Sequence, residues 1–360
     1  MSEYRLTQLL KGHCASVLCC KIQGESNIVA SGAEDGSICL FDIESGALIT
    51  RCAEFPEPDV TSIAFHPSES HRVFTACGAE VVEFDTRAMP TNFSDGTVKR
   101  YPFSAEEING IDIHASGNYL AAADDSGDIM VIDLNRGASL QRLHGIHTNI
   151  ASSTLFSRYS DDEVLSGGLE GKLICWDFKN GACIWSRKMG GEEEVQMLNP
   201  PMVHSFDMPG GKVEDQLWPG LTAAARGDGV IWVGFGQGID GGSGSESEPS
   251  TPHESRGEPR VGDGNGEDYV LLGPSLGGHS SCVSCVKFMG EGRRLVSGSS
   301  DKRLVGWDWL AACEGEEDEN PRVWVLAHGE KVNALDVGQG DLQALVVGDV
   351  GVDVSVYHPV

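Results

Sequence analysis

Residues 278–309 read GHSSCVSCVKFMGEGRRLVSGSSDKRLVGWDW, and this stretch decides the fold. It opens on Gly278-His279, alternates apolar and polar residues, crosses Ser297-Gly298 and Asp301, and closes on Trp307-Asp308. Alternation at period two, broken by glycine and aspartate turns, specifies short antiparallel strands. Read alone, the stretch predicts the four strands of one propeller blade. Its polar residues suit a buried hydrogen-bond chain. An indole N–H donates to a serine, and a histidine links that serine to the turn aspartate. On this reading His279, Ser297, Asp301 and Trp307 are structural, not catalytic.

Weaker copies surround it, which makes the unit a WD repeat. Blade one starts at Gly12-His13 and continues SGAEDGSICLFD over residues 31–42, with Ser31, Asp35 and Phe41 in the serine, aspartate and tryptophan positions. Asp35-Gly36 supplies its tight turn, because glycine accepts a positive φ. Blade two, about 59–87, keeps DVTSIAFHP and ends VVEFDTR. Blade three spans 106–136. Blade four, 144–179, restores His147, Ser166 and Trp176, with Glu170 in the aspartate position. Blade five is the most degenerate and keeps Asp228-Gly229 as its turn; His204 is placed level with the blade-start histidines. Blade seven runs 328–357, with Tyr357 in the tryptophan position. Asp42, Asp85, Asp133 and Asp177 recur at about the 40–50-residue spacing of such blades. The expectation is an all-β, seven-bladed β-propeller spanning 1–360 as one domain. Tyr4–Leu10 would join the last blade, closing the ring and removing a free edge.

Composition agrees. The chain has 360 residues, 40% hydrophobic, with 46 glycines and a formal charge of −28. That acidity argues against nucleic-acid binding through a basic face. No apolar run approaches the ~18 residues of a membrane span. The start, MSEYRLTQLL, has no secretory pattern, so the 11 cysteines read as reduced core thiols. Cys282-Val-Ser-Cys285 has a C-x-x-C spelling, but no second pair completes a zinc site. Residues 236–268 are too polar and glycine-rich to order, and read as a disordered insertion between blades five and six. Ser245, Ser247 and Thr251 in it are plausible kinase targets. Asp263, Asn265 and Glu267 lack the frame of a calcium loop. An acidic loop follows at 312–321, and Glu192–Glu194 form a further acidic run.

No nucleophile elbow, H-E-x-x-H or P-loop is present, so neither enzymatic activity nor a metal or cofactor is expected. The expected partners are proteins, met by a propeller that is itself monomeric. Two surfaces could meet them. Residues just before each first strand line the top rim: Asp59, Glu106, Glu107, Asn149, Asn199, Glu330, Lys331 and Asn333. Their sum is acidic, which suits a basic peptide. On the opposite rim, blade two ends Phe84-Asp85-Thr86-Arg87. An arginine two residues past the blade aspartate can offer its planar fork to a partner's carboxylate or carbonyls. Other blade ends lack it: Glu44, Lys179 and Leu310 hold that place, and Arg136 comes one residue later.

Beyond the generic repeat, the chain resembles the WD repeat-containing protein 53 family. The likeness rests on EEIN at 106–109, ADDSG at 123–127, LNP with HS within 198–205, HGEKVN at 328–333 and SVY at 355–357. It implies a propeller that docks on the damage-specific DNA-binding adaptor of cullin-type ubiquitin ligases, in the cytoplasm or nucleus. Docking in that class uses a W-D-x-R box, matched here by Asp85 and Arg87, with Phe84 where the box has tryptophan. The family's longer basic loop before the last blade is replaced by the acidic GEEDEN, and 236–268 has no counterpart. The rival expectation is a general scaffold, in ribosome assembly or chromatin, that binds basic tails through Glu106, Glu107 and Glu330.

Overall fold

The computed structural model describes residues 4–24, 26–52, 59–88, 97–190, 199–210, 220–235, 269–290, 292–314, 321–338 and 343–360. They form seven four-stranded antiparallel sheets. The strand Tyr4–Lys11 pairs with Asp353–Pro359, so the N-terminal strand is the outermost of blade seven and closes the ring. Residues 278–309 contribute three strands to their blade, not four. The fourth is Arg322–Ala327, beyond a short helix at Trp309–Glu314.

The innermost strands are Val17–Ile22, Val60–Phe65, Ile108–Ile113, Ala151–Phe156, Val203–Asp207, Val283–Met289 and Val332–Val337. Each carries a β-bulge at the same place, one extra residue after the leading apolar residue. A bulge re-aims one side chain and sharpens the local twist. The repetition sets Leu18, Thr61, Asn109, Ser152, His204, Ser284 and Asn333 around the mouth of the central channel. Between the blades lie apolar clusters built from facing strands, such as Val283, Val286, Leu295 and Trp307 against Leu221, Ala223 and Val233. Glycine permits the closest approaches: a Cβ on Gly32 would lie 2.3 Å from Val60.

Antiparallel connectivity assigns every loop to an edge. Innermost strands begin at the top edge, where the second-to-third-strand turns also lie. The first-to-second and third-to-fourth connections lie at the bottom. Phe235 and Tyr269 belong to the third and fourth strands of blade five. The residues flanking 236–268 thus both belong to blade five and lie at its bottom edge, so the segment interrupts blade five in sequence rather than separating blades five and six. It lies outside the described residues, as do Glu192–Glu194, the kinase-target residues Ser245, Ser247 and Thr251, and most of the 312–321 loop. The start of that loop is helical. Trp309 and Leu310 are buried, and the Trp309 indole donates to the Gly292 carbonyl at 2.8 Å. Among the described residues no helix is long and apolar enough to cross a membrane.

Candidate interaction surfaces on the two edges

The polar chain determines which groups remain for partners. In blade six, Trp307 Nε1 donates to Ser297 Oγ at 2.9 Å. His279 Nε2 lies 2.8 Å from the same oxygen, and His279 Nδ1 lies 3.1 Å from Asp301. The carboxylate can only accept, so Nδ1 carries the proton and Nε2 accepts from serine. Burial pushes the Asp301 carboxyl up, but hydrogen bonds from His279, Arg303 and the Ser280 N–H outweigh it and hold the group well below the usual range. Blade four repeats the chain with Trp176, Ser166, His147 and Glu170 at 2.8, 2.7 and 2.5 Å.

Blade one departs from the pattern. His13 lies 2.6 Å from both Ser31 and Ser37, while Asp35 caps the Ser37 N–H and pairs with Arg51 at 3.1 Å. The expected His13–Asp35 link is replaced because Arg51, on the fourth strand, draws the carboxylate outward. With burial the main cause, His13 is pushed down to about 4. In blade seven the Tyr357 hydroxyl lies 2.6 Å from His328, whose other nitrogen donates to Asp349 at 2.7 Å. Blade five has lost the chain. Arg226 instead pairs with Asp228 and donates to the Met189 carbonyl at 2.6 Å. His204 is not at the blade start but in the bulge of its strand.

A second polar layer, which no motif announced, joins the blades around the channel. Thr61 donates to the Ile108 carbonyl at 2.5 Å, Asn109 to Ala151 at 3.2 Å, Ser152 to Val203 at 2.6 Å and Asn333 to Val17 at 2.9 Å. Each donor is a bulge residue, and each acceptor opens the innermost strand of the next blade. Deeper in, Asp112, Asp207 and Asp336 accept the N–H groups of Phe156, Phe288 and Ile22 at 2.8–2.9 Å, again one blade on. Lys21 and Lys287 answer two of these carboxylates at 3.4 and 3.6 Å.

These bonds sort the top-rim residues. Asn333 is a blade-to-blade clamp, and Glu330 pairs with Lys302 at 3.1 Å. Asn149 accepts the neighbouring Ile150 N–H at 2.8 Å. Asp59, Glu106 and Glu107 gather over blades two and three beside Asp125. Burial, then the charges of Asp125 and Asp59, push the Glu107 carboxyl upward, the mark of an uncompensated acidic cluster. Asn199 and Lys331 are exposed on the far side, over blades five and seven.

At the bottom edge the docking-box residues separate. Phe84 is wholly buried among Val60, Val73 and Val82, so it presents no surface to a partner. Arg87 is 67% exposed and folds back on Asp85, with Nε 2.9 Å from Oδ1 and Nη2 2.5 Å from Oδ2. The arginine's hydrogen bonds hold the Asp85 carboxyl down to about 2. Blade three, read as lacking such an end, has a looser version: Arg136, 79% exposed, lies 3.6 Å from Asp133. Two adjacent blade ends therefore offer a guanidinium.

Seven four-stranded blades form a β-propeller, four of whose third strands end aromatic-Asp at Asp42, Asp85, Asp177 and Asp308, and the family model "WD domain, G-beta repeat" matches residues 4–42 and 272–308. Propellers of this kind are protein-interaction scaffolds and are typically non-catalytic. The resemblance to WD repeat-containing protein 53 extends across the ring. A Dictyostelium discoideum protein, "WD repeat-containing protein 53 homolog", is 25% identical over 380 residues, covering 96% of this chain and 92% of its own length. "WD repeat-containing protein SL1-17" of Schistosoma mansoni is 26% identical over 51% of this chain and 58% of its own. "Cilia- and flagella-associated protein 52" of Chlamydomonas reinhardtii is 23% identical over 47% of this chain and 26% of its own.

Proposed function

We propose that this propeller is a non-enzymatic substrate receptor of a cullin-RING ubiquitin ligase, docking on the ligase's damage-specific DNA-binding adaptor through Asp85 and Arg87. The observation that carries this reading is the exposed guanidinium of Arg87 at a strand end. Asp85 engages only part of its five-donor fork, so donors remain for a partner's carbonyls or carboxylates. The family likeness supports it. Phe84 keeps the aromatic of the box as a core anchor that sets the angle of the strand end. The top edge, free of the adaptor, would present the target. Compartments holding such ligases, cytoplasm and nucleus, are proposed with it.

Affinity recovery of the adaptor from cells expressing wild type or Arg87→Ala tests this. Wild type is expected to recover the adaptor and the variant to lose most of it. Equal recovery from both removes Arg87 from the interface, and no recovery from either overturns the ligase reading.

A second reading is favoured by the uncompensated acids Asp59, Glu107 and Asp125. The protein would then be a scaffold that takes basic tails at the top edge. Binding of lysine-rich peptides that weakens steeply with salt, without ligase components, would select it.

A further inference from the structure

The ring of bulge residues is not uniform. Thr61, Asn109, Ser152 and Asn333 each spend a donor on the next blade, and in blade one the Cys19 thiol reaches the Val60 carbonyl at 3.3 Å. The two seams flanking blade six differ. His204 and Ser284 hold the equivalent positions, and among the described residues neither side chain makes a hydrogen bond. Both are half-buried in the channel mouth. Lys331 stands over this gap from the start of blade seven, exposed and without an ion-pair partner among the described residues. It is close enough that, after burial, its charge lowers His204 and opposes the burial that raises the Cys282 thiol. The His204 ring and the Ser284 hydroxyl thus lie on the side of the mouth that carries the Lys331 charge, where the nearby Asp228 is already held by Arg226, and Asn199 lies exposed on the same side.

Across the mouth the sign reverses. Asp59, Glu106, Glu107 and Asp125 stand at the top edge of blades two and three, Asp125 accepting from Asn109 at 2.8 Å, with no cation paired to them among the described residues. The mouth is therefore a dipole. One side carries unsatisfied donors under a positive charge, and the other carries a carboxylate cluster.

We infer that the top of the channel binds a peptide segment carrying both signs. A basic residue would lie over blades two and three, and a carboxylate-bearing residue would enter the gap formed by His204, Ser284 and Lys331. A carboxylate accepts from several donors at once and neutralises Lys331, whereas a second basic residue there would meet uncompensated repulsion. This deepens the reading of the top edge as the target-binding surface and is independent of where the adaptor docks. The partner's acidic residue is what the acidic composition of the chain conceals.

Selection of a displayed random peptide library against the full chain tests the inference. Enriched sequences are expected to hold a Lys or Arg and an Asp or Glu at a fixed separation. A synthetic peptide from that set should bind at least ~10-fold more weakly when its acidic residue is replaced by the amide, a difference of about 1.4 kcal/mol. Lys331→Glu, an exposed substitution, should cost the acidic peptide its advantage and select all-basic sequences instead. Enrichment of purely basic peptides by wild type would overturn the dipolar site while leaving the top-edge reading intact. Failure to enrich any peptide would overturn both. Arg87→Ala should enrich the same sequences as wild type, which separates this surface from the adaptor edge.

Discussion

Blade six and blade two handle the same buried position in opposite ways. In blade six Ser297 sits at the centre of a completed chain, accepting from Trp307 and bonding His279. In blade two the strand register puts Thr75 at that place and Phe84 at the place of Trp307. Phenylalanine has no donor, and the Thr75 hydroxyl, fully buried, has no partner among the described residues. Blade two instead places its polar capital elsewhere. Glu83, 3% exposed, accepts from Arg72 and from the Tyr101 hydroxyl at 2.7 Å each. Burial, then Glu83, push the Tyr101 phenol well above its usual range. The difference teaches that the repeat signature is one way of satisfying a propeller core rather than a functional site. What reaches the surface differs accordingly. The third strand of blade six runs into a helix that buries Trp309, and its Asp308 pairs with Arg293 at 2.7 Å. Blade two ends in an exposed arginine.

The largest expected effect is in blade six. Ser297→Val would strand the Trp307 indole and the His279 ring together, each costing about 1–3 kcal/mol. A drop in the urea midpoint corresponding to ~2–6 kcal/mol should follow. A change below ~0.5 kcal/mol would contradict the structural account of the chain, since that is the range of an indifferent surface substitution.

Acid titration sharpens the comparison through blade one. His13 is held down to about 4, whereas an unfolded histidine titrates near ~6.5. The unfolded chain therefore takes up the proton first. The contribution is present above ~6.5 and is lost as pH falls through about 4. Stability measured by urea unfolding should decline over that window, and His13→Gln should flatten the slope. An unchanged slope would contradict the buried, neutral assignment.

The smallest effect has the opposite sign. Thr75→Val removes a hydroxyl that has no partner, so blade two should become neutral to slightly more stable, by up to ~1 kcal/mol. The same kind of change in the same place of two blades would then destabilise one and spare the other. A loss at Thr75 comparable to that at Ser297 would show that the two positions are not different.

These contrasts also mark what a single chain of letters can reveal. The propeller, the strand that closes it and the residues of the polar chain were legible, because turn glycines, aromatic-Asp endings and period-two alternation are local. The blade-to-blade clamps were not. The donor Asn109 and its acceptor Ala151 lie in different repeats, and Asp112, Asp207 and Asp336 look like ordinary strand acids until the ring brings the next blade alongside. Asp35 was misassigned because its true partner, Arg51, comes from a fourth strand that the motif does not cover. The helix after Trp307-Asp308 was read as a plain strand end, since six residues carry too little periodicity to distinguish the two. Phe84 was grouped with the docking residues because it fills the tryptophan position of the box, although strand alternation turns it inward and leaves Asp85 and Arg87 at the edge.

Under the proposed function, the departures from the repeat, not the repeat itself, carry the interaction. Titrating purified adaptor against wild type and Arg87→Ala, with thermal unfolding measured on the same samples, tests it most directly. The predicted result is an unchanged unfolding midpoint and an affinity weakened at least ~10-fold. Equal affinities for the two proteins at equal stability would contradict it.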